Sequence, residues 1–375
     1  MSKREMLLLA LRGGQPPQIV WAPRFDWWHQ YALQWGTLPA HLKGLEYYDI
    51  IRQLGATLWH RVYMMEGERP GVGRQEYQQS DSIYTVYETA VGKAWTRHQI
   101  ASDSTRARFL KEHLIKSPED LPVARYLIEA MQYSFTEEDY LSRQAAMGDD
   151  GQVVIIAPRA PFQQFVVVDA GVQNAFALLH DHPREVEALL ELMAEKHLEA
   201  YRQIARLSMP VVEAGDNMDG SITSPELYRR YIIPFCQEVA SILHRAGKLY
   251  GSHYDGRLRS LLPLLPETGL DYIEAATPSP WGDCSMEEIR FALRGQVAVW
   301  GGVPGPLLCE GTSEATVCEY VRRVLGSAKP WEGFVLGMAD DMPANGDFAL
   351  VEAISKLVQD YRLEEENVSV SHTGN

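Results

Sequence analysis

Eight short, β-rich apolar runs, separated by longer stretches of helical periodicity, constrain this chain more than any other feature. They cover residues 18–23, 56–63, 153–158, 210–214, 248–252, 271–275, 297–301 and 333–338. Such alternation marks a parallel α/β fold, because a parallel strand pair needs a crossover, usually a helix, to return the chain to the same edge. Several crossovers have readable ends. Ser224-Pro225-Glu226 supplies a cap and a first-turn proline ahead of Tyr228, Ile232, Phe235, Val239 and Ile242, and Gly247 closes that segment. Ser285 and Glu288 form a capping box whose helix ends at Gly295. Residues 184–207 carry Val186, Leu190, Met193, Tyr201 and Ile204 at helical spacing. Eight strand–helix units predict a (β/α)8 TIM barrel. The alternative is an open doubly wound sheet, and either fold places ligands at the carboxyl ends of the strands.

A long insertion, roughly 65–152, separates the second and third runs. Residues 84–90 and 93–98 alternate around Val91-Gly92 and read as a hairpin, and helical segments capped near Ser117-Pro118-Glu119-Asp120 follow. An insertion of this size is expected to wall or lid a site. A single barrel domain is expected over 1–363, with a disordered polar tail over 364–375.

Composition narrows the classes. A formal charge of -15 argues against a nucleic-acid binder, which normally presents a basic face. The 4 cysteines show no CxxC spacing and fit a reducing compartment better than a disulfide framework. No apolar run reaches the length of a membrane span, and Ser2 with Glu5 reads as the capping box of an opening helix rather than part of a leader. A cytoplasmic location is expected.

Acidic turns follow three of the buried runs: Glu213-Ala214-Gly215-Asp216-Asn217, His253-Tyr254-Asp255-Gly256, and Glu274 ahead of Thr277-Pro278-Ser279-Pro280-Trp281. In an extended segment His253 and Asp255 point the same way, and Gly256 permits a turn into an expected helix over 257–265. An imidazole beside a carboxylate suits a divalent metal or general acid–base work; the bland alternative is a helix cap. Glu274, inside an apolar strand, needs a partner, either a metal shared with His253 and Asp255 or an arginine. Asp216, Asn217 and Asp340 are further candidates at the mouth. Arg24, Arg61 and Arg159 follow the first three runs and suit a carboxylate or phosphate, or an ion pair with these acids. Trp27 and Trp28 could wall an aromatic substrate or simply pack in the core. His180-Asp181-His182 precedes a helix rather than ending a strand, and Gly301-Gly302-Val303-Pro304-Gly305 lacks the spacing of a nucleotide loop, so no nucleotide cofactor is expected.

Residues 224–228 with Ile233-Pro234-Phe235, then Gly251-Ser252-His253-Tyr254-Asp255-Gly256, Gly301-Gly302-Val303-Pro304, Glu310-Gly311-Thr312-Ser313-Glu314 and the glycine-bearing last strand before Pro343 resemble the uroporphyrinogen decarboxylase superfamily. The resemblance implies a barrel with a deep cleft at its C-terminal mouth and, by analogy, a homodimer. Decarboxylases of that superfamily carry two arginines after the first strand, where only Arg24 matches here. His60 and Arg61 stand where they have an essential aspartate, and Met338-Ala339-Asp340-Asp341 where they have a histidine. The chain is more similar to the corrinoid-linked methyltransferase branch. Asp255 replaces the first cysteine of the His-x-Cys pair that binds zinc in coenzyme M enzymes, which brings the chain closer to the O-demethylase-like members.

The reaction this resemblance implies is methyl transfer from a methoxylated, often aromatic, compound to a cobalt(I) corrinoid. No DxHxxG segment is present, so the corrinoid would ride on a partner protein. For that reaction, zinc on His253, Asp255 and Glu274, or a protonated member of that group, would activate the leaving oxygen, and Trp27, Trp28 and Trp281 would orient an aryl ether. Two other readings stay open: a decarboxylase with Arg24 and Arg159 as clamps, and a non-catalytic barrel that binds a small ligand or tetrapyrrole.

Overall fold

The computed structural model describes residues 1–63, 65–66, 69–102 and 107–373. Eight parallel strands form one sheet: β1 (Val20–Ala22), β2 (Leu58–Tyr63), β3 (Gly151–Ala157), β4 (Val211–Ala214), β5 (Leu249–His253), β6 (Tyr272–Ala276), β7 (Ala298–Pro304) and β8 (Phe334–Ala339). Their order is β1-β8-β7-β6-β5-β4-β3-β2, every neighbour parallel. The gap between β1 and β2 is bridged where Thr57 N–H donates to the Trp21 carbonyl at 2.7 Å. The fold is the (β/α)8 barrel expected from the sequence.

Its interior is filled by alternate residues of the strands. Val20, Ala22, Trp59, Val154, Val211, Leu249, Tyr272, Ala298, Trp300 and Val335 cluster with Met6, Leu7, Ala10 and Leu11 of the opening helix Lys3–Leu11, which plugs the bottom. That helix starts with the Ser2–Glu5 capping box. Close approach inside the lumen requires glycine at two strand positions. A Cβ on Gly251 would fall 2.1 Å from the Tyr272 ring, and one on Gly337 would fall 2.4 Å from the Trp300 indole nitrogen. A second, larger apolar layer lies between the strands and the surrounding helices.

One expectation needs correction. No α-helix follows Gly256: after turns the chain forms only a short 3-10 segment, Leu265–Thr268. Pro263 and Pro266 lack the backbone donors a helix interior needs, which explains the failure. The last helix runs Phe348–Thr373.

The insertion builds an antiparallel sheet of Gly73–Gln79, Ser82–Thr89, Gly92–Ile100 and Arg108–Glu112, containing the expected hairpin. Helix Leu121–Glu129 packs on it through Val123 and Leu127 against Ala94. Among the described residues, no helix is long and apolar enough to cross a membrane.

Candidate active site

Strand parity builds the site. Two residues beyond the apolar floor positions Trp59, Val154, Val211 and Tyr272 stand Arg61, Ile156, Glu213 and Glu274, on the same face of their strands. His253 ends β5 with the same parity as Leu249. The floor therefore carries a ring of charged side chains directly above it.

Arg61 sits at the centre. Its Nη2 donates to Glu213 Oε1 at 3.0 Å and to Glu274 Oε2 at 2.6 Å, and lies 3.1 Å from His253 Nδ1. Its guanidinium also lies 5.1 Å from the Trp59 ring centroid. His253 Nδ1 is 2.5 Å from Glu274 Oε2, so a proton on Nδ1 is donated to that carboxylate. The other ring nitrogen, Nε2, faces Asp255 Oδ2 at 3.6 Å and Asp340 Oδ1 at 3.8 Å. Tyr272 O–H donates to Glu213 Oε2 at 3.4 Å.

Backbone strain clusters on the same mouth. Of the four non-glycine residues with positive φ among those described, Asn217 (51°), Ala275 (65°) and Asp340 (88°) follow β4, Glu274 and β8 respectively. Each is costly for an L-residue and persists only where surrounding contacts impose it. Between Ile273 and Ala276 the register of β6 against β7 also shifts, a local irregularity of the kind that re-aims side chains beside active sites.

Charge balance explains the titration behaviour. Burial opposes ionisation of His253, but the Glu274 carboxylate and hydrogen bonds to Asp255 and Glu274 outweigh it and push the imidazole up to about 10. Burial would likewise raise Glu274, yet Arg61 and His253 hold it below its ordinary value. Glu213 goes the other way: burial and repulsion from Glu274 exceed the pull of Arg61, and its carboxyl is raised. Asp255 is held low, despite burial, by His253 and Asn217.

Glu213, His253 and Glu274 place ligand-type atoms within 4.8 Å of one another. A divalent cation among them would share that space with the Arg61 guanidinium, which already donates to both glutamates, so this trio does not suit a metal. Nor do His253, Asp255 and Glu274 surround one point, because Asp255 and Glu274 face different ring nitrogens. His253 Nε2 instead faces the Asp255 and Asp340 carboxylates while Glu274 accepts from Nδ1–H, and Asp340 Oδ1 is shared with Arg24 at 3.4 Å.

A cavity of about 990 Å³ opens at the mouth. Of the residues singled out from sequence, Arg24, Trp27, Arg61, Arg159, Asn217, His253 and Asp340 line it. Arg24 is committed to Asp26 (3.2 Å), Asp340 (3.4 Å) and Asp341 (3.3 Å). Five of the expected residues do not line the cavity: Asp255 and Glu274 adjoin His253 without lining it, and three others lie elsewhere. Trp28 is core, stacked on Phe348 at 4.8 Å and donating to the Gly346 carbonyl at 3.0 Å, because its helical position turns the ring inward. Trp281 packs edge-on against Tyr320 at 5.8 Å, outside the cavity lining. Asp216 is fully buried, accepting from Ala160 N–H at 2.7 Å and Ser252 O–H at 2.6 Å, so it ties two loops together.

Sequence reasoning left Glu213 as one acid among several and missed Tyr31, Trp35, Tyr63 and Phe109, all of which line the cavity. The signal for Glu213 was present: Val211-Val212-Glu213-Ala214 and Tyr272-Ile273-Glu274-Ala275 are two apolar strands, each with a central glutamate. The aromatic residues had none, because Phe109 reaches the mouth from the insertion.

Residues 139–361, more than half of the chain, match the family described as Uroporphyrinogen decarboxylase (URO-D). No curated protein matches the sequence. Among solved structures, a methyltransferase from Methanosarcina mazei aligns over 96% of this chain and 99% of its own, at 13% identity and a TM-score of 0.60. A D-psicose 3-epimerase from Clostridium cellulolyticum H10 aligns over 61% of this chain and 84% of its own, at 8% identity and a TM-score of only 0.35. At 13% identity the first likeness is one of fold.

Proposed function

This chain belongs to the uroporphyrinogen decarboxylase (URO-D) family, and we propose that within it the protein is a methyltransferase, moving a methyl group from a small methoxylated compound to a cobalt(I) corrinoid on a partner protein. The observation that carries this reading is the orientation of His253. Its Nδ1 is fastened to Glu274 while Nε2 is turned toward Asp255 and Asp340 beside the cavity.

Removing a methyl group from an ether leaves an alkoxide or phenolate, so the task of the protein is to stabilise charge on that oxygen. In the metal-free chemistry His253 holds a proton at Nε2 and delivers it to the leaving oxygen. Glu274 keeps the ring in the donating tautomer and offsets the positive charge. Arg61 keeps Glu274 ionised, and the aromatic lining excludes water from the reacting atoms. A zinc ion on the same ring nitrogen, Nε2 of His253, would supply Lewis acidity toward the same oxygen.

The decarboxylase reading is weaker. Clamping a polycarboxylate needs several available cations, whereas Arg24 and Arg61 are already paired with acids of the protein. A non-catalytic binding barrel leaves the buried, strained charge cluster without a purpose. The test is an assay of purified protein with a reduced corrinoid protein and methoxylated aromatic compounds, followed by cobalt absorbance. His253→Ala should lower the rate by about 10²–10⁴-fold. Wild-type protein that turns over no methoxylated compound, or a variant as active as wild type, refutes the proposal.

A further inference from the structure

Among the described residues three arginines line the cavity, and they are not equivalent. Arg24 and Arg61 are each within ion-pair distance of two or more carboxylates. Arg159 is partly buried and has only neutral acceptors: its Nε donates to the Gly215 carbonyl, and its Nη2 to Asn217 Oδ1 at 2.9 Å. Among the described residues no carboxylate lies within ion-pair distance of it, and its Nη1 has no hydrogen-bond partner. A partly desolvated guanidinium that feels Asp216, Asp255 and Asp169 only at a distance, has no direct ion pair and faces an open cavity is completed by an anion from outside.

The surroundings define the rest of the ligand. Ile156, Tyr63 and Phe109 line the same cavity. Asn217 connects the arginine to the acid–base group, accepting from Arg159 and donating through Nδ2 to Asp255 Oδ2 at 3.2 Å, while Asp255 faces His253 Nε2. An anion on Arg159 is thereby placed one side-chain bridge from the reacting edge of His253.

We propose that Arg159 is an anion anchor and that the substrate of this site is an organic carboxylate with an apolar body. The methyl-donor role of that carboxylate rests on the function proposed above; the anchor itself does not. Trp27 and Trp35 line the cavity and are 55% and 46% exposed, so ligand binding is read by tryptophan fluorescence without any turnover.

The experiment titrates full-length protein with para-methoxybenzoate and with methoxybenzene, which lacks only the carboxylate. Wild-type protein is expected to bind the acid about ten- to a hundredfold more tightly, the span of a charge-assisted hydrogen bond. Arg159→Gln abolishes that preference while affinity for methoxybenzene stays the same. Should the variant fail to fold, the wild-type comparison alone decides. Equal wild-type affinities, no binding of the acid at millimolar concentration, or a variant that keeps the preference overturns the proposal. A preference for the acid without methyl transfer leaves the anchor standing and removes the methyltransferase reading; methyl transfer with no preference does the reverse.

Discussion

Arg61 and Arg159 line one cavity from neighbouring strands, yet they occupy opposite electrostatic situations. Around Arg61, two buried glutamates offset the charges of the guanidinium and the protonated His253 through direct contacts. Around Arg159 the partners are a carbonyl and an amide, and burial pulls its pKa below the ordinary value. A cation inside a closed network belongs to the architecture of the site. A cation left with neutral partners keeps its charge for a ligand.

The largest expected effect tests the closed half. Arg61→Met leaves Glu213 buried without a direct ion pair and Glu274 with only the His253 imidazolium, and should destabilise the protein by about 3–5 kcal/mol in urea unfolding. Arg159→Met should cost about 1–2 kcal/mol, since only hydrogen bonds to neutral acceptors are lost. Equal losses would erase the contrast between the two arginines.

Next comes Glu274→Gln, which keeps the shape of the side chain and removes the charge on Nδ1. His253 should then titrate well below its value of about 10, as followed by NMR of the ring, and methyl transfer should fall by about 10²-fold. An unmoved titration would assign the shift to something other than Glu274.

A smaller effect concerns pH. The folded-state pKa of His253 lies above its unfolded value of about 6.5, so its stabilising contribution is complete below about pH 6.5 and is lost as pH rises through about 10. Wild-type stability relative to His253→Gln should shrink across that window. A difference that grows with pH would mean that the imidazole is neutral in the folded protein, as it would be when ligating a metal.

The smallest effect separates two of the exposed tryptophans, Trp281 and Trp27. Trp281→Ala should change ligand affinity by no more than about twofold, as expected of a surface residue remote from the site, whereas Trp27→Ala removes part of the cavity wall and weakens binding. Matching losses would place Trp281 nearer the ligand than its packing on Tyr320 implies.

Much of this molecule can be read locally. Apolar periodicity and cap chemistry operate over a few residues, so all eight strands, the opening helix and the hairpin follow from composition and spacing. The parity that turns Arg61, Glu213 and Glu274 inward is equally local, since alternate side chains of a strand share a face. What lies outside local rules is who meets whom. That Arg61 takes the centre of the acids, that Glu274 and Asp255 face different nitrogens of His253, that Trp28 joins the core and Trp281 leaves the mouth, and that Arg159 makes no ion pair among the described residues all depend on distances between residues far apart in the chain. Those distances are set when the barrel closes and each buried charge must find a partner in a medium that penalises isolation. The sequence therefore determined the scaffold and the stock of charged groups, and the tertiary structure alone decided which of those charges are spent on one another.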